Sequence, residues 1–413
     1  MATVLEQQPP GSGFKAWRRG THRTVDPAAT LARVQPHLAD LGITRIANVT
    51  GLDRIGVPVV MVCRPNARSL AVSQGKGLTL DAAKASGVME AVELHHAERI
   101  ELPLKLGSAR DLERTHRLID LDALPRLSDS RFHPDLPILW IEGRDLLADA
   151  PVWLPYEVVH TNYTLPLPTG SGCFPASSNG LASGNHILEA IDHGIAEVVE
   201  RDSTSLWNHL DQAGCGRTRI DLGTVDDDDC AAVLDQLERA GFAVALWDTT
   251  TDVGIASFYC LITDRRHENA HAGAGAGAHP ARAVALLRAV TEAIQVRTTY
   301  ITGARDDLRP DEFTPSAIER KLRRAQALMS QGAATRAFRE VPTCEAAALA
   351  EDLDWMLDRL RAVDIEEVIM VDLTRAEIGM PVARVVIPGL EAPHDHDGYV
   401  PGPRALKLSG ERR

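Results

Sequence analysis

Apolar residues recur along this chain with two different spacings, and the alternation between them lays out the elements. Where they return every three or four positions an amphipathic helix is expected, and where they run in short blocks between turn residues a strand is expected. DPAATLARVQPHLADLG opens a helix, with Asp26 as its N-cap and Pro27 at the first helical position. TRIANVT and VPVVMVCRP read as short strands on either side of the turn GLDRIG, and a helix is expected from about Leu80 to Glu98. Between roughly residues 103 and 168 prolines break the pattern into short pieces, among which LPILWIEGRDL reads as a buried strand. NHILEAIDHGIAEVVERD and DDDDCAAVLDQLERAG are helical, the second with an acidic first turn that suits the helix dipole. FAVALWDTT and GIASFYCLITD read as paired strands. Helices are expected near 281–301, 316–331 and 343–362, followed by strands in EEVIMVDLT and ARVVIPG. The fold class expected is mixed α/β (α+β), with helices packed on mixed sheets.

HAGAGAGAHP resembles a dinucleotide fingerprint only in its alternating glycines. No strand runs directly into it and no acidic residue sits suitably placed about 20 positions on, so a loop or linker is expected there. Residues 1–20 mix Gly, Pro, Gln and basic residues and read as a flexible segment; 401–413 reads as an irregular tail, and HDHD at 394–397 as a polar loop without a role.

Composition narrows the function classes. The formal net charge of −13 and the lack of a Lys/Arg run disfavour nucleic acid as a partner. No stretch of 18 apolar residues and no signal peptide is visible, so neither a membrane span nor export is expected, and a cytoplasmic location is the default. Six cysteines without a C-x-x-C pair speak against zinc and against a disulfide scaffold.

The informative feature is where the acids sit. At about 100° per residue, Glu189, Glu197 and Glu200 fall within roughly 80° of one another, opposite the face formed by Ile187, Leu188, Ile191, Ile195, Val198 and Val199. A solvated stripe with a Glu197–Arg201 pair is the plain reading. However, the helix around SGVMEAVE carries a second E-x-x-E pair, Glu90 and Glu93. Carboxylates gathered from two helices repel unless cations sit among them, and an all-oxygen donor set suits Mg²⁺ with a nucleotide phosphate. Lys76, Arg201, Arg297 and Arg305 are candidate phosphate partners, and SSNGLASG is placed to offer backbone N–H groups to a phosphate. No P-loop motif occurs.

Taken in order, SQGKG, SGVMEAVE, SSNGLASGNHILEAIDHGIAEVVERD and ALLRAVTEAIQVRTTYITGARDDL resemble the YcaO family of ATP-dependent enzymes that modify peptide backbones, over about residues 19–391. The resemblance implies an ATP-binding fold without a P-loop, here a catalytic domain of several lobes at 21–400. It implies Glu90, Glu93, Glu189, Glu197 and Glu200 as the carboxylates for Mg²⁺ and nucleotide. Asn185, Arg201, Arg23, Thr30 and Arg297 would lie at the ATP, with Lys76 and Ser86 placed there by position. The general base is not identified.

The activity implied is phosphorylation of an amide oxygen, leading to a thioamide when sulfide is the nucleophile or to an azoline when a Cys, Ser or Thr side chain is. KAWRRGTHRT with TRIANVTGLDRIGVPVV, and VDLTRAEIGMPVARVVIPGLE, are most similar to members that work with a TfuA protein, which favours thioamide formation. VPGPRALKLSGERR runs ten residues beyond Pro403, unlike the proline-rich ending of azoline-forming members, and no leader-recognition domain is expected before residue 20. A precursor peptide or protein substrate, a TfuA-like partner for sulfur delivery and a possible homodimer are therefore the expected partners. The rivals are a non-catalytic, peptide-binding relative and an amine–carboxylate ligase that uses the same metal and phosphate apparatus.

Overall fold

The structure, a computed structural model, describes residues 13–266, 271–394 and 398–410. In chain order its main elements begin with α1 (Pro27–Val34), β1 (Arg45–Asn48), β2 (Val59–Cys63), β3 (Val72–Lys76), α2 (Leu80–Glu98), β4 (Leu104–Gly107) and α3 (Ala109–Leu112). They continue with β5 (Ile138–Asp145), β6 (Ala150–Pro155), β7 (Leu181–Ser183), α4 (Ile187–Asn208), α5 (Gln212–Arg217), α6 (Asp228–Arg239), β8 (Phe242–Asp248) and β9 (Ser257–Asp264). The last are β10 (Gly273–Ala278), α7 (Arg282–Thr302), α8 (Pro315–Met329), α9 (Leu349–Arg361), β11 (Ile369–Asp372), β12 (Val382–Val386) and α10 (Pro403–Ser409). No described helix is long and apolar enough to cross a membrane.

Two compact units interleave along the chain. Unit 1 takes Met1–Lys15, Val92–His209 and Ala346–Arg413; unit 2 takes Ala16–Ala91 and Leu210–Glu345.

In unit 1 the sheet runs β4-β5-β11-β12-β7, with β6 also paired to β5, and all of these pairings are antiparallel. The apolar face of α4 lies on β7 and β12, while α9 and α10 pack against the same helix. Ile187, Ile191, Ile195 and Val199 are buried as their spacing predicts.

Unit 2 holds two three-stranded antiparallel sheets, β1-β2-β3 and β10-β9-β8. Helix α7 packs along β10 and β9 and reaches β3. The core gathers Val57, Val59, Phe242, Phe258, Leu286, Val290 and Ile294.

Several expectations needed correction. HAGAGAGAHP is not a loop, because Gly273–Ala278 is strand β10, in register with β9. A Cβ on Gly273, Gly275 or Gly277 would lie 2.1, 2.3 and 2.3 Å from the carbonyl oxygens of Ala293, Ala289 and Ala285. The glycines thus form the strand face on which α7 rests, and a strand of Gly and Ala shows no hydrophobic alternation from which to read it. SQGK is likewise strand rather than helix lead-in, and Gly75 gives α2 its close approach to β3.

The helix expected at 343–362 begins only at Leu349. The expected flexible start is ordered over its described part: Phe14 bridges Ala348, and Trp17 bridges Arg23. Residues 1–12 lie outside the described residues.

The tail is not irregular throughout, since α10 forms with Pro403 at its first turn and Gly410 in the left-handed region after it. His394 lies 3.1 Å from Asn208 Nδ2, whereas Asp395, His396 and Asp397 are outside the described residues.

Candidate active site

The acidic face of α4 is not a solvated stripe. Glu189 and Glu200 are each only 1% exposed, Asp192 and Asp202 are buried on the same helix, and Glu197 is half-buried. Carboxylates are seldom fully buried unless paired or bound to an ion.

The route into this helix explains how two of the acids are held. Strand β7 ends at Ser183, whose N–H and hydroxyl both donate to Glu93 Oε1 of α2, at 2.9 and 2.7 Å. Two residues on, the N–H of Asn185 donates to Glu189 Oε2 at 2.8 Å, and its Nδ2 lies 3.4 Å from the same oxygen. A backbone stretch of three residues therefore fixes carboxylates from two helices in unit 1. Gly184 sits between them because a Cβ there would fall 3.0 Å from Glu189 Oε2.

This arrangement overturns the expected phosphate cradle in SSNGLASG. The N–H groups of Ser183, Gly184 and Asn185 go to Glu93, the Pro381 carbonyl and Glu189, and the helix N-cap is His186, whose Nδ1 accepts from the Leu188 N–H. Arg201 follows Glu200 on α4 and is half-buried.

Asp202, the next residue, is fully buried. Burial pushes its carboxyl up to about 6 even though Arg404 Nε and Nη2 donate to it at 3.0 and 3.2 Å.

Unit 2 brings together a second group. Lys76 Nζ donates to Glu292 Oε2 at 3.0 Å. Burial raises the Glu90 carboxyl above the usual range, against the pull of Arg305 and Lys76, and the Glu292 charge adds to the rise. Glu292 escaped the sequence reading, because it stands in α7 without the E-x-x-E pairing that marked the acids of α2 and α4.

The remaining candidates have the following described surroundings. Arg297 is 1% exposed, 3.7 Å from Asp53, 4.0 Å from Asp264 and over the ring of Phe242. Thr30 is buried, its hydroxyl donating to the Asp26 carbonyl at 3.3 Å. Arg23 donates to the His22 carbonyl, and Ser86 is exposed on α2.

Residues 74–391 match the family model described as YcaO cyclodehydratase, ATP- and Mg²⁺-binding. This chain belongs to the YcaO family. A protein encoded in the tfuA 3′ region of Rhizobium leguminosarum bv. trifolii is 35% identical over 376 residues, covering 89% of this chain and 88% of that one. A protein of Methanothermobacter thermautotrophicus is 35% identical over 383 residues, covering 89% and 95%.

Among solved structures, YcaO from Methanopyrus kandleri bound with AMPPCP and Mg²⁺ superposes with a TM-score of 0.73 at 24% identity, over 92% of this chain and 95% of that one. A heterocyclase in complex with substrate and cofactor superposes with a TM-score of 0.77 at 23% identity over 96% of this chain. The YcaO chain spans 57% of that heterocyclase's length.

The YcaO fold is thus shared, and ATP and Mg²⁺ are the cofactors of the family. The donors available here fit such an ion: Glu93, Glu189, Glu197 and Glu200 supply oxygen alone, with no thiol or imidazole in the set, as a hard cation prefers.

Proposed function

We propose that this YcaO protein uses Mg-ATP to activate a peptide backbone amide for thioamide formation, with a TfuA-like partner delivering the sulfur. The observation that carries the reading is the burial of Glu189 and Glu200 on the polar face of α4. Burying carboxylates costs more than a soluble fold returns unless positive charge is brought to them. The tfuA-region relative supports the choice of sulfur as nucleophile.

In this reading Glu93, Glu189, Glu197 and Glu200 hold Mg²⁺. The ion supplies neutralisation of phosphate charge when bound. Asn185 and Arg201 flank the nucleotide. Ser183 and Asn185 orient Glu93 and Glu189 through the hydrogen bonds described above.

The chemistry balances as follows. A sulfur nucleophile adds to the amide carbon, and the carbonyl π pair becomes an oxyanion. The oxyanion takes the γ-phosphoryl group and ADP leaves. The C–O bond then breaks with loss of phosphate, and the proton on sulfur passes to solvent as C=S forms. Azoline formation is the second reading, favoured by the cyclodehydratase description of the family; there the nucleophile is a side chain of the same peptide.

The deciding experiment mixes the purified protein, Mg-ATP, sulfide, a TfuA-like protein and a candidate precursor peptide, and reads peptide mass. Replacement of oxygen by sulfur is the expected result. Loss of water alone would move the assignment to the azoline reading, and gain of a second amine-bearing molecule would overturn both in favour of ligation.

A further inference from the structure

We infer that a cleft in unit 1 between Arg384 and Asn179 is the subsite that holds a backbone amide of an extended peptide. Arg384 stands in the otherwise apolar strand β12 and is 3% exposed. Its Nη2 donates to the Ser177 carbonyl at 2.8 Å, while Nε and Nη1 have no acceptor among the described residues. Asn179, on the segment leading into β7, has no donor to its Oδ1 among the described residues. Both residues line one cleft, whose walls are Pro125, Val158, Pro175 and Val198.

Buried donors and a buried acceptor left unmet on one cleft define what completes them. The complement must accept from a guanidinium and donate to a carbonyl oxygen, and a peptide amide does both at once through its C=O and N–H. An anion answers only half of this demand. A carboxylate or phosphate would satisfy Arg384 but turn negative oxygens toward Asn179 Oδ1. It would also meet the field of Glu197, which already acts on Arg384. A neutral carbonyl meets neither repulsion. The apolar, proline-lined walls suit an extended segment without side-chain readout, and Val198 places the cleft beside Glu197 on α4. The amide is the reacting one only if the functional reading above holds; the binding site itself does not need that reading.

The test uses the intact chain and three probes, N-acetylglycine N′-methylamide, acetate and inorganic phosphate, titrated by ligand-observed NMR. The diamide should bind the parent protein and weaken by about tenfold in both Arg384→Gln and Asn179→Ala. Should Arg384→Gln not fold, Asn179→Ala carries the test alone. Diamide binding that is absent, or unchanged in Asn179→Ala, overturns the proposal, as does displacement of the diamide by acetate or phosphate at lower concentration. Mg-ATP binding is measured in parallel. Diamide binding without Mg-ATP binding would leave the subsite standing while the functional reading fails.

Discussion

Helices α4 and α7 have nearly the same length, 22 and 21 residues, and each is the spine of its unit, yet they treat buried charge in opposite ways. On α7 the buried Arg297 meets carboxylates from two other segments, Asp53 and Asp264, together with the π face of Phe242. That is charge neutralised inside the unit, and it serves the fold. On α4 the buried charges are acids, and three described contacts that hold Glu93 of α2 and Glu189 of α4 come from neutral groups, namely the hydroxyl and N–H of Ser183 and the N–H of Asn185. Neutral donors fix a carboxylate in place without themselves cancelling its charge.

Replacing Glu200 by Gln should break the α4 side of this contrast most severely. ATP turnover is expected to fall on the order of a thousandfold, with the melting temperature held or raised, because an acid kept for an ion is removed. Equal Mg²⁺-dependent turnover in variant and parent would contradict the assignment. Arg297→Met tests the α7 side. It leaves Asp53 and Asp264 buried with less countercharge, so stability in denaturant titrations should drop by about 3 kcal/mol. A large loss of ATP affinity at unchanged stability would instead return Arg297 to the nucleotide.

A smaller effect concerns pH and sharpens the comparison for a neutral group. Burial, helped by the Arg384 charge, lowers His160 from 6.5 to about 4. The unfolded chain therefore takes up the proton first, so the stability His160 contributes is full above about 6.5 and is lost as pH falls toward 4. The loss should amount to about 3 kcal/mol, and His160→Gln should flatten the stability profile across that window. An unchanged slope in the variant would show that His160 is not the titrating group.

Much of this was legible in the sequence where a physical signal had amplitude. The limits expected for α2 match the structure, α4 runs six residues past the expected end at Asp202, the Asp26 cap holds the N–H of Ala29 at 2.9 Å, and the four YcaO motifs pointed to the family. Strand β10 was illegible because small residues carry no hydrophobic contrast, although their strict alternation was the mark of a face pressed against a helix. Position on a wheel showed that Glu189 and Glu200 share a side but not that this side is covered, since burial depends on elements far away in the chain. The SSNGLASG segment misled for a related reason: composition shows that N–H groups exist, not where they point. Asn179 and Arg384 lay inside quoted strings, SSNGLASG and MPVARVVIPGLE, but neither was singled out, and the one clue for Arg384 was a charge set among valines in ARVV.

The tie between Arg404 and Asp202 bears on how the protein should be handled. Asp202 lies two positions beyond Glu200, and its only described cationic anchor belongs to the short C-terminal helix. An affinity handle fused at the C-terminus would hang from that helix and tug on the turn of α4 that carries Glu200, so a purification tag is better placed at the other end of the chain.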